Sequence, residues 1–202
     1  FLREARITAR LDHPSIVPVY GIEVSADGLS IGYAMKLVEG KTLRAYLNET
    51  IELYGARRPI DEEHDLPKRL EHFLKICDAV AFAHARGILH RDLKPSNFMI
   101  GRFNEVWVMD WGIARRVDER DEAVPAQPIL KRVGTETELT AYGEVIGSLR
   151  YMSPEQANAA EIDARADQYA LGLVLFEIAC LRPAMSSEST EEALEKASKG
   201  FK

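Results

Sequence analysis

The sequence has only two cysteines in its 202 residues, Cys77 and Cys180, and both fall inside apolar helical patterns. That excludes a disulfide scaffold. Free thiols in such patterns behave as small core hydrophobes, and a reducing, cytoplasmic setting is expected. Positive charge is also short, with 26 Lys and Arg against 32 Asp and Glu for a net charge of -6. With no basic stripe to neutralise phosphates, a nucleic-acid partner is not expected. Long hydrophobic runs are missing too. The longest, Ala170 to Leu181, is broken by Glu177 and falls short of the roughly 20 residues a membrane span needs. It reads as a buried helix, and no membrane segment is expected. There is no internal repeat and no low-complexity tract. Phe1 is followed by no targeting pattern, and the chain is expected to be an internal fragment. What is present is 46% hydrophobic and 29% charged residues, the material of a globular chain with a sizeable core.

Phe1, Leu2, Ala5, Ile7 and Leu11 recur at helical spacing, and Asp12-His13-Pro14 ends that helix. Ile16 to Glu23 and Leu29 to Val38 are rich in β-branched and aromatic residues around Ser25-Ala26-Asp27-Gly28, which predicts a hairpin. Thr42 is placed to cap a short helix through Leu47, and Gly55 to Pro67 reads as a solvated loop. Leu70, Phe73, Leu74, Cys77, Val80, Ala81 and His84 share one face of a helix that Gly87 terminates. A short strand, Ile88-Leu89, follows. Phe98 to Ile100 and Val106 to Met109 form a second small hairpin, and no period is visible between Ile113 and Ile146. Asp163 to Arg182 reads as a long helix, and Ser189-Thr190-Glu191-Glu192 as the capping box of a last one that runs off the end.

The strongest chemical signal is His90-Arg91-Asp92-Leu93-Lys94-Pro95-Ser96-Asn97, followed at the end of the second hairpin by Asp110-Trp111-Gly112. A transferring phosphoryl group needs metal ions to neutralise its charge, an orienter for the attacking hydroxyl, and a cation on the moving oxygens. Two carboxylates, an amide and a lysine are the parts for that task. In this order and context the two motifs resemble the catalytic loop and metal-binding motif of Hanks-type (eukaryotic-like) serine/threonine protein kinases. The resemblance implies that Asp92 orients or accepts the proton of the substrate hydroxyl and that Lys94 sits on the γ-phosphate. It places Mg²⁺ on Asn97 and Asp110, a structural packing role on His90, and a phosphate partner in the activation segment for Arg91. Trp111 stands where the family has phenylalanine. It supplies the required apolar plug, but its indole N–H needs a partner once buried. Gly112 keeps this corner's backbone freedom.

The resemblance extends over nearly the whole chain, from helix C into helix G. Glu4 matches the glutamate that pairs with a strand-3 lysine, and both that lysine and the glycine-rich loop would precede residue 1. Met35-Lys36-Leu37-Val38 resembles the hinge, with Met35 gating the pocket, Lys36 and Val38 offering backbone groups to adenine, and Met99 forming the floor. Gly147-Ser148 through Tyr151-Met152-Ser153-Pro154-Glu155 resembles the end of the activation segment. Ser148 there takes the place of the hydroxyl residue that meets the catalytic Asp and Lys. Thr135, Thr137, Thr140 and Tyr142 are candidate phosphosites in the same segment. Asp167 matches the buried aspartate that tethers the catalytic loop. Glu155 matches a glutamate whose arginine partner would lie beyond residue 202, so that burying it would cost stability.

The fold implied is α+β and two-lobed, with a partial small lobe at 1–39 and a mostly helical large lobe at 40–202. The implied activity is transfer of the γ-phosphate of ATP, with Mg²⁺, to Ser or Thr of a protein substrate, while the fragment itself is expected to turn over little. A kinase-like binding or scaffold module and a small-molecule phosphotransferase are the rivals. The intact Asp92, Lys94, Asn97 and Asp110 speak against the first, and the Ser-Pro-Glu segment against the second.

Overall fold

The computed structural model describes residues 7–24, 31–111, 114–116, 147–186 and 189–200. The chain forms two compact units, one of Phe1–Arg91 with Pro95–Arg116, the other of Asp92–Lys94 with Val117–Lys202.

In the first unit, 7–8 are helical and Leu11 is buried, so the expected opening helix is met where it is described. Strands β1 (Val19–Val24) and β2 (Ile31–Met35) form the expected antiparallel hairpin. The pair is shorter than its apolar run, because Pro18 has no N–H to give to a ladder. Ile16 instead bridges to Val108, and the Pro18 carbonyl accepts the Lys36 N–H at 3.1 Å. The turn at Ser25–Gly28 lies outside the described residues. Strands β3 (Lys41–Thr42), β5 (Phe98–Ile100) and β6 (Val106–Val108) make a three-stranded antiparallel sheet. Gly40 leads into it, and a Cβ there would sit 2.1 Å from the Ile100 carbonyl oxygen, so only glycine fits this approach.

Helix α1 (Leu43–Gly55) is capped by Thr42, which accepts the Ala45 N–H at 3.1 Å, but it runs well past Leu47. Leu43, Tyr46, Leu47 and Thr50 bury one continuous face, and the buried Thr50 hydroxyl is satisfied by the Tyr46 carbonyl at 2.8 Å. The acidic connection after α1 is largely exposed, as expected, and accepts the Tyr46 hydroxyl at the Glu63 carbonyl. Burial pushes the Tyr46 phenol up. Helix α2 (Leu66–His84) starts at Asp65, which accepts the Lys68 N–H at 2.8 Å, and Gly87 follows its end with φ 68°.

The inward face of α2 is rotated from the expected one, keeping Val80 buried and leaving Leu70, Phe73, Cys77 and His84 half-buried. Arg69, His72, Ile76, Ala79, Val80 and Ala83 are buried, whereas Leu74 is 62% exposed and Ala81 faces solvent. Two stripes on this helix have the same period, and the apolar one was the wrong choice because the polar members of the other find partners. Arg69 Nε donates to the Asp65 carbonyl at 3.2 Å, and His72 Nε2 donates to Asn104 Oδ1 at 2.6 Å. Asn104, at φ 64° in the β5–β6 turn, also donates to Glu71 Oε1 at 2.6 Å, and Lys75 spans Glu71 and the Asn104 carbonyl. Its hydrogen bonds to Lys75, Lys68 and Asn104 hold the Glu71 carboxyl down to about 2.

With His72 Nε2 carrying the proton, Nδ1 is a buried nitrogen with no partner, and desolvation lowers the imidazole pKa from 6.5. The unfolded chain therefore binds a proton below pH 6.5 that the fold resists, so stability should fall as pH drops below that value. One such group gives a slope of up to ~1.4 kcal/mol per pH unit until the depressed folded value is passed. His72→Gln keeps the donor to Asn104 and should flatten the slope in urea denaturation series run across this range. His13, also lowered by burial, leaves a residual slope.

In the second unit, α3 (Pro154–Ala157) carries a capping box in which the Ser153 side chain and Gln156 satisfy each other's backbone. It packs on α4 (Ala164–Cys180) and α5 (Thr190–Lys199). Asp163 caps α4 through the Arg165 N–H at 2.8 Å, and Leu181 closes it in the left-handed region at φ 54°. Ser189 caps α5, which ends at Gly200 with φ 75° instead of running off the end. The cysteines are free, but neither is the core group expected. Cys180 is exposed at the last position of α4, and Cys77 is half-buried, its thiol pushed up by burial. No helix among the described residues is long and apolar enough to cross a membrane.

Candidate functional site

In the first unit the site is built on β4 (Ile88–Leu89), whose two buried side chains fix the residue that follows. His90 is 1% exposed, and its Nε2 donates to the Met109 carbonyl at 3.0 Å. Its ring lies 4.6 Å from that of Trp111. The Trp111 indole is itself buried and donates Nε1–H to the Val108 carbonyl at 3.3 Å, which supplies the partner its burial requires. Both neighbours of Asp110 are thus fixed, one by His90 and the other by packing plus a hydrogen bond. Asp110 itself is exposed and takes φ 59°, a conformation in which Asp is enriched but which still costs ~1–3 kcal/mol.

Asn97 closes the 3-10 turn Pro95–Asn97 and is buried, and its carbonyl accepts the Met109 N–H at 2.9 Å. That bond ties the Asn97 strand entrance to the residue before Asp110. One carboxylate and one amide oxygen form an oxygen-only donor set, the small number of protein ligands Mg²⁺ takes when phosphates and water complete its octahedron. The residues fit that ion. Arg91 has φ 71°, and β7 (Arg115–Arg116) pairs antiparallel with β4. That strand was invisible in sequence because two arginines carry no apolar alternation. Gly112 lies outside the described residues.

In the second unit, Lys94 Nζ stands 2.8 Å from Asp92 Oδ2 and donates to Ser148 Oγ at 2.7 Å. Leu93, between the two, is 1% exposed and anchors the segment. The structure therefore brings together Asp92, Lys94 and Ser148, the last of them 54 positions from Lys94. The segment after Ser148 is pinned on both sides of Arg150, by buried Leu149 and by buried Tyr151, whose hydroxyl donates to Glu177 on α4. Asp167, in the first turn of α4, is 1% exposed, as its apolar surroundings predicted. Glu155 is exposed, which overturns the concern that its burial would cost stability. The carboxylate stays in water.

At the hinge-like segment, Met35 is 40% exposed, Val38 and Met99 are half-buried, and the Lys36 ammonium lies 5.0 Å from the centre of the Trp107 ring. The Lys36 N–H donates to the Pro18 carbonyl at 3.1 Å and so is already engaged. Lys36 also lines a cavity of about 360 Å³ with Asp12, His13, Pro14, Pro18 and Trp107, which Met35, Val38 and Met99 do not line. Glu4, Thr135, Thr137, Thr140 and Tyr142 lie outside the described residues. Trp107 and Arg150 were missed in the sequence. The only available signal was a tryptophan at a strand position and an arginine inside an otherwise apolar turn.

The protein kinase domain family model matches residues 1–202. The serine/threonine-protein kinase PknD of Protochlamydia amoebophila is 33% identical over 201 residues, covering 95% of this chain and 20% of that protein. PknD of Chlamydia trachomatis is 37% identical over 188 residues, and that of Chlamydia muridarum 38% over 187, each covering 90% of this chain and 20% of the relative. The chain thus spans about a fifth of the length of the curated relatives it matches. The buried His90 and Trp111 fix the corner that carries Asp110 on an α+β scaffold, and with the family model matching the whole chain, the chain belongs to the Hanks-type serine/threonine protein kinase family.

Proposed function

We propose that the protein containing this chain transfers the γ-phosphate of ATP to serine or threonine hydroxyls of other proteins. The observation that carries this reading is Lys94 held between Asp92 and Ser148 at 2.8 and 2.7 Å. A cation so placed neutralises developing charge on a phosphoryl group, and the carboxylate beside it is positioned for the proton of an incoming hydroxyl. Asn97 and Asp110 would hold Mg²⁺, which supplies charge neutralisation of the phosphates when bound. The carbonyl of Lys36 and the backbone of Val38 would meet adenine, Met35 would gate the pocket and Met99 would form its floor. Glu4 would pair with a lysine upstream of residue 1. Arg91 would answer a phosphate on Thr135, Thr137, Thr140 or a neighbouring hydroxyl, and Asp167 would tether the backbone of the Asp92 loop. The small lobe would comprise 1–39 and the large lobe 40–202, and two unpaired cysteines suit a reducing compartment.

The test is incorporation of labelled phosphate from γ-labelled ATP by the full-length protein, with Mg²⁺ and a generic basic protein as acceptor. Label on serine or threonine is expected. ATP binding without any transfer would favour a scaffold role and overturn the proposal.

A further inference from the structure

The cavity at Lys36 uses none of the groups assigned above to phosphoryl transfer, and every residue that lines it belongs to the first unit. Its volume of about 360 Å³ is that of a site for a small molecule. Its walls are apolar and fixed. Leu11, Ile16 and Trp107 are buried, and the rings of Pro14 and Pro18 are locked to their own backbone. The indole cannot turn aside, because one edge of it is seated on Gly101, where a Cβ would stand 2.7 Å from Trp107 Cζ3. Three polar side chains complete the lining: Asp12, His13 and Lys36. The Ser15 N–H donates to His13 Nδ1 at 3.1 Å, so Nε2 is the nitrogen that carries the proton. Burial lowers the pKa of this imidazole and keeps it neutral. The Lys36 ammonium lies 5.0 Å from the centre of the Trp107 ring, and its backbone N–H is held by the Pro18 carbonyl at 3.1 Å.

The charges at the rim narrow the choice of occupant. Asp12 and Lys36 line the same cavity, yet neither side chain forms an ion pair, with the other or with any other group, among the described residues. A purely anionic ligand would be repelled by Asp12, and a purely cationic one by Lys36. A neutral apolar molecule would strip water from both and return nothing to either. A molecule that carries an ammonium, a carboxylate and an apolar body meets all three features at once. We propose that this cavity binds a free α-amino acid with a large apolar side chain, its carboxylate on the Lys36 ammonium, its ammonium on the Asp12 carboxylate, and its side chain against Trp107 and Ile16. His13 offers a further donor to the carboxylate. The cation–π contact holds the Lys36 ammonium at the aromatic wall in advance, which lowers the cost of ordering that long side chain on binding. Only the side chain of Lys36 takes part, whereas the role given to Lys36 in meeting adenine falls on its backbone.

The test is calorimetric titration of the full-length protein with L-phenylalanine and L-leucine, for at least one of which a Kd of about 1 mM or tighter is expected. L-phenylalaninamide lacks the carboxylate, as the first residue of a peptide does, and N-acetyl-L-phenylalanine lacks the ammonium, as the last residue does. The corresponding derivatives of the amino acid that binds should each bind about fivefold more weakly, the size of one partly exposed charge pair, and glycine should show no saturable binding. Lys36→Met should erase the preference for the free amino acid over its amide, and Asp12→Asn the preference over its N-acetyl form. Both side chains are exposed, so neither substitution removes core packing. Loosening of the fold would weaken all ligands alike and leave the two preferences intact, which would overturn the proposal. So would the absence of saturable binding by either amino acid, equal binding of either derivative, or binding of glycine as tight as that of the larger amino acids. These outcomes leave the kinase reading standing, because labelled phosphate transfer decides it separately.

Discussion

Asp92→Asn in the full-length protein is expected to lower the initial rate of phosphate transfer by ~10²–10⁴-fold, the range a positioned general base contributes. The substitution keeps the shape and one acceptor oxygen but removes the negative charge. Lys94 then loses the carboxylate 2.8 Å from its Nζ, and the acceptor hydroxyl loses the group that would take its proton. Stability should change by less than ~1 kcal/mol, because the pair is partly open to water and such ion pairs contribute little. Side-chain exposures of 18% for Lys94 and 22% for Asp92 place it between surface and core, so some loss is expected but not unfolding. Labelled-ATP initial rates and urea midpoints on the same preparations separate the two effects. Equal incorporation by the variant would remove Asp92 from the chemistry, and a collapse of the urea midpoint would recast it as structural.

The features that local rules decide were legible from sequence. Thr42 and Ser189 are caps because a short oxygen-bearing side chain at a helix start meets an otherwise orphaned N–H, a matter of three or four residues. The β5–β6 hairpin follows from two short apolar runs around a glycine-led turn, and the order of chemical motifs could be read without any knowledge of packing. Features decided by distant partners were not legible. Helix α2 carries two stripes of equal period, and which faces inward depends on Asn104, 32 positions from His72, closing a polar network. A count of apolar residues favours the stripe that the structure leaves half-exposed. The length of α1 is a different case, since the Thr50 hydroxyl that lets its last turns be buried is met locally, by the Tyr46 carbonyl four residues back.

The site divides along the same line. Asp92, Lys94, Asn97 and Asp110 could be named because phosphoryl transfer calls for those residue types, and His90 and Ser148 because their motifs resemble those of the family. Their support could be named only where one residue's own chemistry required it, as with Trp111, whose buried N–H needed an acceptor. Glu155 shows the limit in the other direction: a partner argument predicts cost only if the group is buried, and it is exposed. Arg150 has no signature of its own, since a lone arginine between Leu149 and Tyr151 looks like a surface residue until its Nε is seen to be shielded and unmet.

Trp111 offers the clearest separation of packing from hydrogen bonding at the corner that carries Asp110, the proposed Mg²⁺ ligand. Its ring is 2% exposed against His90, so Trp111→Ala removes a large buried surface and is expected to cost ~3–5 kcal/mol. Trp111→Phe restores most of the plug and loses only the Nε1–H bond to the Val108 carbonyl, at a cost of ~0.5–1.5 kcal/mol. The functional consequence should be larger than the stability change. Asp110 is held at φ 59° by its neighbours, and the indole bond is one of the ties that keep it there, beside His90 on the Met109 carbonyl and the Met109 N–H on the Asn97 carbonyl. Loosening one tie lets Asp110 sample the commoner backbone regions, which lowers the fraction of molecules with a carboxylate placed for Mg²⁺. In the full-length protein, Trp111→Phe should therefore raise the Mg²⁺ concentration for half-maximal activity several-fold, with kcat at saturating Mg²⁺ falling by less. Metal titrations of activity alongside urea denaturation measure both. A Phe variant with an unchanged Mg²⁺ requirement would mean that His90 and packing alone fix Asp110, and that the indole N–H is satisfied without guiding the metal site.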